Sequence, residues 1–256
     1  MMRTVVVTGA SSGIGAALAR QLGARGDRVV LAARRETELR RLADEIGAGA
    51  IPIAADVTRR REVDALRDRV IDAFGGIDVW VNNAGRGVSK MVLDLTDDEV
   101  DEMMTINLKS ALYGMQAAVP HFIERGRGHI INISSFLSRV PMATIRSAYS
   151  ASKAALNSLT ANLRMDLAGA HPAIHVTLVM PGLVSTEFAK HALHGTPPMS
   201  PAAAGGAQTA DEVAAVIVGV IDRPVAEVYT GPQLAPLARR YFEDVGAFER
   251  SMSASR

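Results

Sequence analysis

Tyr149 and Lys153 are the pair of residues in this chain best suited to proton chemistry. They are four residues apart, so on a helix their side chains lie one above the other on the same face. A free phenol titrates near pH ~10, and a nearby ammonium favours the phenolate, so the pair predicts a tyrosine with a lowered pKa. Such a group could act as a general acid or base, although the same spacing also arises by chance.

Two serines precede this pair, at the end of an apolar segment that predicts a strand, Ile130–Ile133. The hydroxyl of Ser135, or that of Ser134, could hydrogen-bond the substrate oxygen whose proton Tyr149 handles. These groups suit proton transfer to or from an alcohol oxygen. They cannot move a hydride, so we expect a bound cofactor to supply one.

The cofactor site is predicted after the first strand, Val5–Val7, where the chain reads Thr8-Gly-Ala-Ser-Ser-Gly-Ile-Gly15 and then becomes helical. Glycines let backbone N–H groups approach phosphates, and a helix N-terminus favours negative charge. The spacing is G-x-x-x-G-x-G, not the commoner G-x-G-x-x-G, and a plain strand-to-helix turn is the alternative. The residues predicted to hold the cofactor here are Gly9, Ser11, Ser12, Gly13, Ile14 and Gly15.

Two serine-hydrolase patterns also occur, and we rank both below hydride chemistry. Gly9–Gly13 fits G-x-S-x-G, but that elbow needs an oxyanion loop from an earlier strand, for which the chain before Gly9 is too short. Ser150–Lys153 fits S-x-x-K, but its companion motifs S-D-N and K-T-G are missing from the sequence.

A second predicted strand, Arg28–Ala33, ends in Arg34 and Arg35. In a βαβ nucleotide-binding unit this strand end meets the adenosine ribose, where a carboxylate selects NAD and an arginine accommodates the 2′-phosphate of NADP. A guanidinium binds a phosphate bidentately. The two arginines therefore favour NADP(H) over NAD(H), unless they only begin a solvated helix.

Later strand ends add further candidates. Asp56, after the third predicted strand Ala50–Ala55, could accept from the adenine amino group or could equally cap the helix that begins near Arg60. The asparagines after the fourth predicted strand, Ile77–Val81, could fix a loop near the cofactor ribose. The cofactor residues assigned to these strand ends are Asp56, Val57, Asn83, Ala84 and Gly85.

A long helix is predicted after the capping box Thr96–Glu99. Asn107 interrupts it, and could bend the helix and hold a water against Lys153, or could be a satisfied core amide. The apolar positions of this helix, which we expect to be buried, are Val100, Met103, Met104, Leu108, Leu112, Met115 and Val119.

Two later segments are expected to shape the substrate region. Residues 187–209 form a loose stretch after the sixth predicted strand and predict a substrate loop. His191 and His194 lie in it without a third ligand nearby, so we expect no metal. The helical tail, about 232–250, could dock on a second subunit, cover the site or lie on a membrane, and the first two are favoured.

Composition indicates an ordinary globular protein. Of the 256 residues 48% are hydrophobic and 21% charged, and the net charge of +1 favours neither nucleic acid nor an acidic membrane. The absence of cysteine excludes disulfides and thiol catalysis. We expect no signal peptide, no membrane span and a cytoplasmic location. Strands and helices alternate without a linker, which predicts one domain over residues 1–256.

Together these motifs resemble the short-chain dehydrogenase/reductase family. The motifs that carry the resemblance are Thr8–Gly15, Asp56-Val57, Asn82–Gly85, Asn107, Ser135, Tyr149-x-x-x-Lys153 and Pro181-Gly182. The resemblance implies an α/β fold, a single doubly wound Rossmann-type domain with a seven-stranded, mainly parallel sheet. It also implies that Tyr149 is the acid/base, that Lys153 lowers its pKa and binds ribose hydroxyls, that Ser135 holds the carbonyl oxygen, and that Asn107 supports a proton-relay water.

The resemblance further assigns cofactor contacts to Pro181, Gly182, Val184 and Thr186, with Thr186 bonding the nicotinamide carboxamide. One departure is that Ser135 precedes Tyr149 by fourteen residues, one more than the family's usual spacing. Either the intervening loop carries an insertion or the register of the serine pair is uncertain.

The sequence thus predicts an NADP(H)-dependent oxidoreductase that interconverts an alcohol and a ketone or aldehyde. A non-catalytic dinucleotide-binding sensor or scaffold is the alternative. We expect a homodimer or homotetramer, as is usual in the family, and an apolar substrate. The residues that suggest an apolar substrate are Phe136, Leu137, Val140, Met142 and Phe188.

Overall fold

The computed structural model describes residues 2–188, 192–195 and 206–254. The strands are β1 (Thr4–Thr8), β2 (Arg28–Ala33), β3 (Ala50–Ala54), β4 (Val79–Asn82), β5 (Gly128–Ile133), β6 (Ile174–Met180), β7 (Val184–Ser185), β8 (Gln208–Thr209) and β9 (Glu227–Tyr229). The α-helices are α1 (Gly13–Ala24), α2 (Glu36–Ile46), α3 (Arg60–Phe74), α4 (Asp97–Met104), α5 (Ser110–Arg125), α6 (Ser147–Ala168), α7 (Ala210–Asp222), α8 (Leu234–Glu243) and α9 (Val245–Ala254).

Seven strands of the described chain form one sheet in the order β3-β2-β1-β4-β5-β6-β9, and every pairing is parallel. β1 lies near the middle of the sheet, where Val6 is in register with Val30 of β2 and Trp80 of β4. The chain proceeds outward from β1 to β3 and then returns to β4, so strand order reverses between β1 and β4. The predicted doubly wound Rossmann-type sheet is confirmed, and ligands are expected at this reversal.

Helices cover both faces of the sheet. On one face α1, α2 and α7 pack in an apolar cluster that includes Leu18, Leu39 and Ile217. On the other face α3, α5 and α6 pack in a second cluster around Leu66 and Phe122. The strands between these layers are continuous apolar segments because both of their faces are buried.

The long helix predicted after Thr96 is present but is not uniform. Thr96 and Glu99 form the predicted capping box at the start of α4. Thr105–Lys109 then form a π-helical turn between α4 and α5, so the regular α-helix is interrupted where Asn107 predicts it. Val100 is 39% exposed, so its predicted burial is wrong. It lies in the first turn of α4, where Asp97 and Asp98 are exposed as well.

The C-terminal tail folds back on its own chain. Leu234, Ala238 and Tyr241 of α8 pack against Phe136 and Val140, which follow β5. Leu234 and Leu237 of this tail also line the cavity described below, which favours the alternative in which the tail covers the site. No helix among the residues placed in the structure combines the length and the apolar character that crossing a bilayer requires.

Candidate active site

A cavity of about 1250 Å³ opens at the carboxyl ends of the strands, at the reversal between β1 and β4. It brings together residues from β1, β2, β3, β4, β5 and β6 that are far apart in sequence. The predicted residues that line it are Gly9, Ser11, Ser12, Gly13, Ile14, Arg34, Arg35, Asp56, Val57, Asn83, Ala84, Gly85, Ser135, Tyr149, Lys153, Pro181, Gly182, Val184 and Thr186. Gly15 and Asn107 lie behind this lining rather than in it.

The glycine turn after β1 is built so that only glycine fits. Gly9 has φ +66, and a Cβ placed on it would lie 2.9 Å from Cα of Ala84. A Cβ on Gly15 would lie 2.5 Å from the carbonyl oxygen of Gly9. Helix α1 begins at Gly13, three residues earlier than predicted, so the turn leads directly into a helix N-terminus. This cradle fits the phosphates of a dinucleotide.

The loop after β4 is fastened to the glycine turn. The amide of Asn83 donates to the carbonyl oxygen of Thr8 at 2.9 Å, and the Thr8 hydroxyl accepts from the backbone N–H groups of Asn83 at 3.0 Å and Ala84 at 3.2 Å. The prediction that an asparagine here fixes this loop agrees with these contacts, although the Asn83 side chain bonds backbone on one side only, at Thr8 and Gly9. Thr8 is a supporting residue that the sequence motif included without giving it a role.

Arg35 reaches across to the glycine turn. Its guanidinium donates to the hydroxyl of Ser11 at 2.9 Å and to that of Ser12 at 2.8 Å. Arg34, beside it, is close enough for its charge to help lower the pKa of Asp56. Two cations therefore stand at the end of β2, at the edge of the cavity.

Asp56 supports its own loop. Its Oδ1 accepts from the backbone N–H of Thr58 at 3.0 Å and from the Thr58 hydroxyl at 2.7 Å. Burial raises the pKa of the Asp56 carboxyl, but the bonds from Thr58 and the charges of Arg34 and Arg59 outweigh it and hold that pKa below its ordinary value. Helix α3 begins at Arg60 without a side-chain cap, so Asp56 does not have the capping role that was one of its two predicted alternatives.

Tyr149 and Ser135 both line the cavity. Tyr149 is 8% exposed, and the Ser135 hydroxyl is one of the groups that act to lower the pKa of its phenol. Ser134 instead donates to Oδ1 of Asn157 at 2.6 Å, within helix α6. The serine that faces the tyrosine is therefore Ser135, in spite of the unusual spacing.

The electrostatics of Tyr149 differ from the expectation. Burial raises the pKa of its phenol, while the Ser135 hydroxyl and the charge of Arg146 act in the lowering direction. Lys153, which we expected to lower this pKa, donates instead to the carbonyl oxygen of Ile133 at 2.8 Å. Burial lowers the pKa of Lys153 itself to about 8. The phenol therefore carries its proton at neutral pH.

Asn107 holds the wall of the cavity. Its amide group donates to the carbonyl oxygen of Arg86 at 2.9 Å and to the hydroxyl of Ser152 at 3.2 Å, and its oxygen accepts from the N–H of Arg86. The side chain is 1% exposed, and its oxygen lies 2.8 Å from the point where a Cβ on Gly85 would be. The satisfied core amide, one of the two predicted alternatives, is the arrangement present.

The far end of the cavity is mainly apolar. The ring of Phe188 lies 5.6 Å from that of Tyr149, centroid to centroid. The other apolar side chains that border this end are Leu137, Met142, Ala192, Leu234 and Leu237. Within the predicted substrate loop, His194 bonds to Glu99, whereas His191 lies outside the described residues.

Arg146 is the residue at this end that the sequence analysis missed. It lines the cavity, and its charge acts on the phenol of Tyr149. The available signal was its position three residues before Tyr149, close enough along the chain to reach the same site.

Known proteins resemble this chain in sequence. The family model for short chain dehydrogenase matches residues 3–196. An uncharacterized oxidoreductase from Staphylococcus epidermidis is 38% identical over 186 residues, which cover 73% of this chain and 80% of that protein. An uncharacterized oxidoreductase from Staphylococcus aureus is 39% identical over 187 residues, with the same coverage of 73% and 80%.

Solved structures share the fold. A short-chain dehydrogenase/reductase from Burkholderia phymatum in complex with NAD has a TM-score of 0.86 at 27% identity, covering 96% of this chain and 95% of that one. An alcohol dehydrogenase from Thermococcus sibiricus complexed with 5-hydroxy-NADP has a TM-score of 0.78 at 27% identity, covering 90% and 96%. The chain described here belongs to the short-chain dehydrogenase family of oxidoreductases.

Proposed function

We propose that this protein is an NADP(H)-dependent oxidoreductase that interconverts an alcohol and a ketone or aldehyde, with Tyr149 as the acid/base. One observation carries the proposal: the hydroxyl pair of Tyr149 and Ser135 lines the same cavity as the glycine turn. Proton chemistry and a dinucleotide cradle thus share one space. The described histidines do not line this cavity, and the Ser11 hydroxyl accepts from Arg35, which argues against serine hydrolysis at the glycine turn.

The cofactor residues divide by the part of the dinucleotide they would hold. Gly9, Ser12 and Gly13 would receive the phosphates at the N-terminus of α1. Arg34 and Arg35 would hold the 2′-phosphate of NADP, since no carboxylate stands at the end of β2 to prefer the free 2′-hydroxyl of NAD. The residues that would line the nicotinamide end are Asn83, Ala84, Gly85, Pro181, Gly182, Val184 and Thr186.

The chain's own residues handle the proton. Hydride exchange at the carbonyl carbon is the chemistry that a nicotinamide dinucleotide supplies when bound. Ser135 would donate to the carbonyl oxygen, and the protonated phenol of Tyr149 would transfer its proton to that oxygen in the reductive direction. The charge of Arg146, which acts in the lowering direction on the pKa of the phenol, would stabilise the phenolate that remains, and Lys153 would hold the ribose hydroxyls of the cofactor. A phenol that is protonated at neutral pH suits reduction.

Tyr149→Phe tests the assignment because it removes one oxygen and keeps the ring. We expect NADPH consumption with a panel of ketones and aldehydes to fall by about 100- to 10,000-fold, the range ascribed to general acid catalysis. NADPH binding, followed by its fluorescence, should persist. Tyr113→Phe, a tyrosine outside the cavity, is the matched control.

The outcomes separate the proposal from its alternative. Wild-type turnover that survives Tyr149→Phe would overturn the role of the phenol. A wild-type protein that binds NADPH tightly but consumes none with any carbonyl in the panel would instead favour a dinucleotide-binding sensor or scaffold.

A further inference from the structure

Arg146 places a cation at the substrate end of the cavity. It is the residue that precedes α6, and Tyr149 lies three positions further on, within the first turn of that helix. Both side chains line the cavity, and the guanidinium charge acts on the phenol. A planar guanidinium offers five donors in a fixed fork, a geometry that matches a carboxylate.

The guanidinium is held in place before any substrate arrives. Its Nη1 donates to the carbonyl oxygen of Val88 at 3.2 Å. The residues on either side of Arg146 are bonded to Lys90, two residues after Val88. The backbone N–H of Lys90 donates to the carbonyl oxygen of Ile145 at 2.8 Å, and the Ser147 hydroxyl donates to the carbonyl oxygen of Lys90 at 2.7 Å. Such fixation reduces the ordering that ligand binding would otherwise require.

Gly87 shows how close the groups at this end are. A Cβ on Gly87 would lie 2.8 Å from Nη1 of Arg146 and 3.1 Å from Cε1 of Phe188. The ring of Phe188 in turn lies 5.6 Å from that of Tyr149. Arg146, Phe188 and Tyr149 therefore border one small volume, with a cation, an apolar wall and a proton donor on its sides.

The carboxylates among the described residues that line the cavity are Asp56, Asp101 and Glu102. Glu102 is paired with Arg86 at 2.6 Å, and Asp56, which follows β3, lies beside Arg34. Burial lowers the pKa of the Arg146 guanidinium, so the surroundings disfavour its charged form. A ligand carboxylate would add charge-assisted hydrogen bonds to those that the guanidinium already makes.

We propose that Arg146 binds a carboxylate of the substrate, and that the substrates are oxo acids, and the corresponding hydroxy acids, with an apolar body. This inference rests on the proposed function and names its substrate class. The ketone oxygen lies at Tyr149 and Ser135, the carboxylate lies at Arg146, and the rest of the molecule packs against Phe188 and Leu137. The expectation of an apolar substrate is thereby narrowed to an apolar acid.

Binding to the NADP⁺-loaded protein tests the inference without turnover, because an oxidised cofactor cannot reduce a ketone. Calorimetry compares oxo acids whose ketone is alpha, beta or gamma to the carboxylate with the methyl ester of each. We expect at least one acid to bind about 10- to 100-fold more tightly than its ester, the effect of a charge-assisted bidentate contact. In Arg146→Gln that acid-to-ester ratio should fall close to one.

Two further variants make the test decisive. Arg127 lies at the amino end of β5, whereas the cavity lies at the carboxyl ends of the strands. Arg127→Gln should therefore keep the wild-type ratio of acid to ester affinity. Arg146→Lys keeps the charge but loses the fork, and should give an intermediate ratio. If Arg146→Gln does not fold, judged by circular dichroism, the wild-type ratio and that of Arg146→Lys decide the question.

The inference is overturned if the wild-type protein binds acids no more tightly than their esters. It is also overturned if Arg146→Gln weakens the binding of acid and ester equally, which is the result that a purely structural or pKa-tuning role of Arg146 would give. NADPH consumption by the wild type tells the two proposals apart. Turnover of neutral ketones without any acid preference would overturn the Arg146 assignment alone. Tight acid binding that depends on Arg146 but leads to no turnover would overturn the proposed function alone.

Discussion

Asn107 and Arg86 are joined through both ends of one amide. Oδ1 of Asn107 accepts from the backbone N–H of Arg86 at 3.0 Å, and Nδ2 donates to the carbonyl oxygen of Arg86 at 2.9 Å. Asn107 lies in the π-helical turn, and Arg86 lies in the loop that follows β4. The amide thus fastens the π-helical turn to the loop that follows β4.

Asn107→Ala should destabilise the protein. The substitution leaves an N–H and a C=O of a partly buried backbone without their partner, and we expect a loss of about 1–3 kcal/mol in the free energy of unfolding. Urea unfolding followed by circular dichroism measures it. Asn107→Asp keeps an acceptor for the Arg86 N–H but cannot donate when ionised, so its stability should lie between the two. An alanine variant as stable as the wild type would contradict the role given to this amide.

Arg34→Ala should weaken NADPH binding far more than NADH binding. On the proposed function this guanidinium would hold the 2′-phosphate, and loss of a charge-assisted contact to a phosphate corresponds to about 10- to 100-fold in Kd. Fluorescence titration with each cofactor measures the two affinities. Arg40→Ala, on the exposed side of α2 and paired with Glu36, is the control. Equal weakening of NADPH and NADH would argue against a 2′-phosphate clamp.

Much of the fold could be predicted because its parallel strands are buried on both faces. Such strands are continuous apolar segments, and the glycines, arginines and asparagines that follow them mark their ends. The predicted limits of β2, Arg28 and Ala33, coincide with those in the structure. The residues at these strand ends then meet in one cavity because parallel strands end at the same edge.

What the sequence could not supply was the environment of individual side chains. The pKa of Tyr149 is raised because Val88, Met103 and Phe188, which are distant in sequence, pack around it and exclude water. Helical spacing to Lys153 describes only one neighbour, so it gave the wrong direction. The exposure of Val100 has a similar cause, since periodicity shows which face of a helix is apolar but not where that helix leaves the core.

Gly15→Ala should damage both folding and cofactor binding. The added Cβ would lie 2.5 Å from the carbonyl oxygen of Gly9 and 3.0 Å from Cα of Ala10, and backbone atoms cannot rotate away. Gly219→Ala is the matched control, since Gly219 lies within α7 and a Cβ there meets nothing within 4 Å. That control should gain about 0.5–1 kcal/mol from helix propensity. Thermal unfolding with and without NADPH tests both, and a Gly15→Ala protein with wild-type stability and cofactor affinity would refute the close approach.

His129→Leu should reduce the loss of stability that occurs on mild acidification. His129 is 4% exposed on β5, and burial, with smaller effects from His175 and Arg3, lowers the pKa of its imidazole to about 3. In the unfolded chain a histidine binds its proton near pH ~6.5, so folding keeps this group neutral where the unfolded chain would charge it. The contribution of neutral His129 to the free energy of unfolding is full above about pH 6.5. It declines as pH falls towards 3, by up to about 1.4 kcal/mol per pH unit.

Urea unfolding from about pH 7 down to pH 5 isolates this slope, because most carboxylates remain ionised in that interval. The wild type should lose stability steadily as pH falls, and His129→Leu should lose less. Leucine also removes a ring nitrogen, Nδ1, that has no hydrogen-bond partner within the described structure. His171→Leu, before β6, controls for the loss of an imidazole elsewhere. Parallel slopes for the wild type and His129→Leu would show that His129 is not the group responsible.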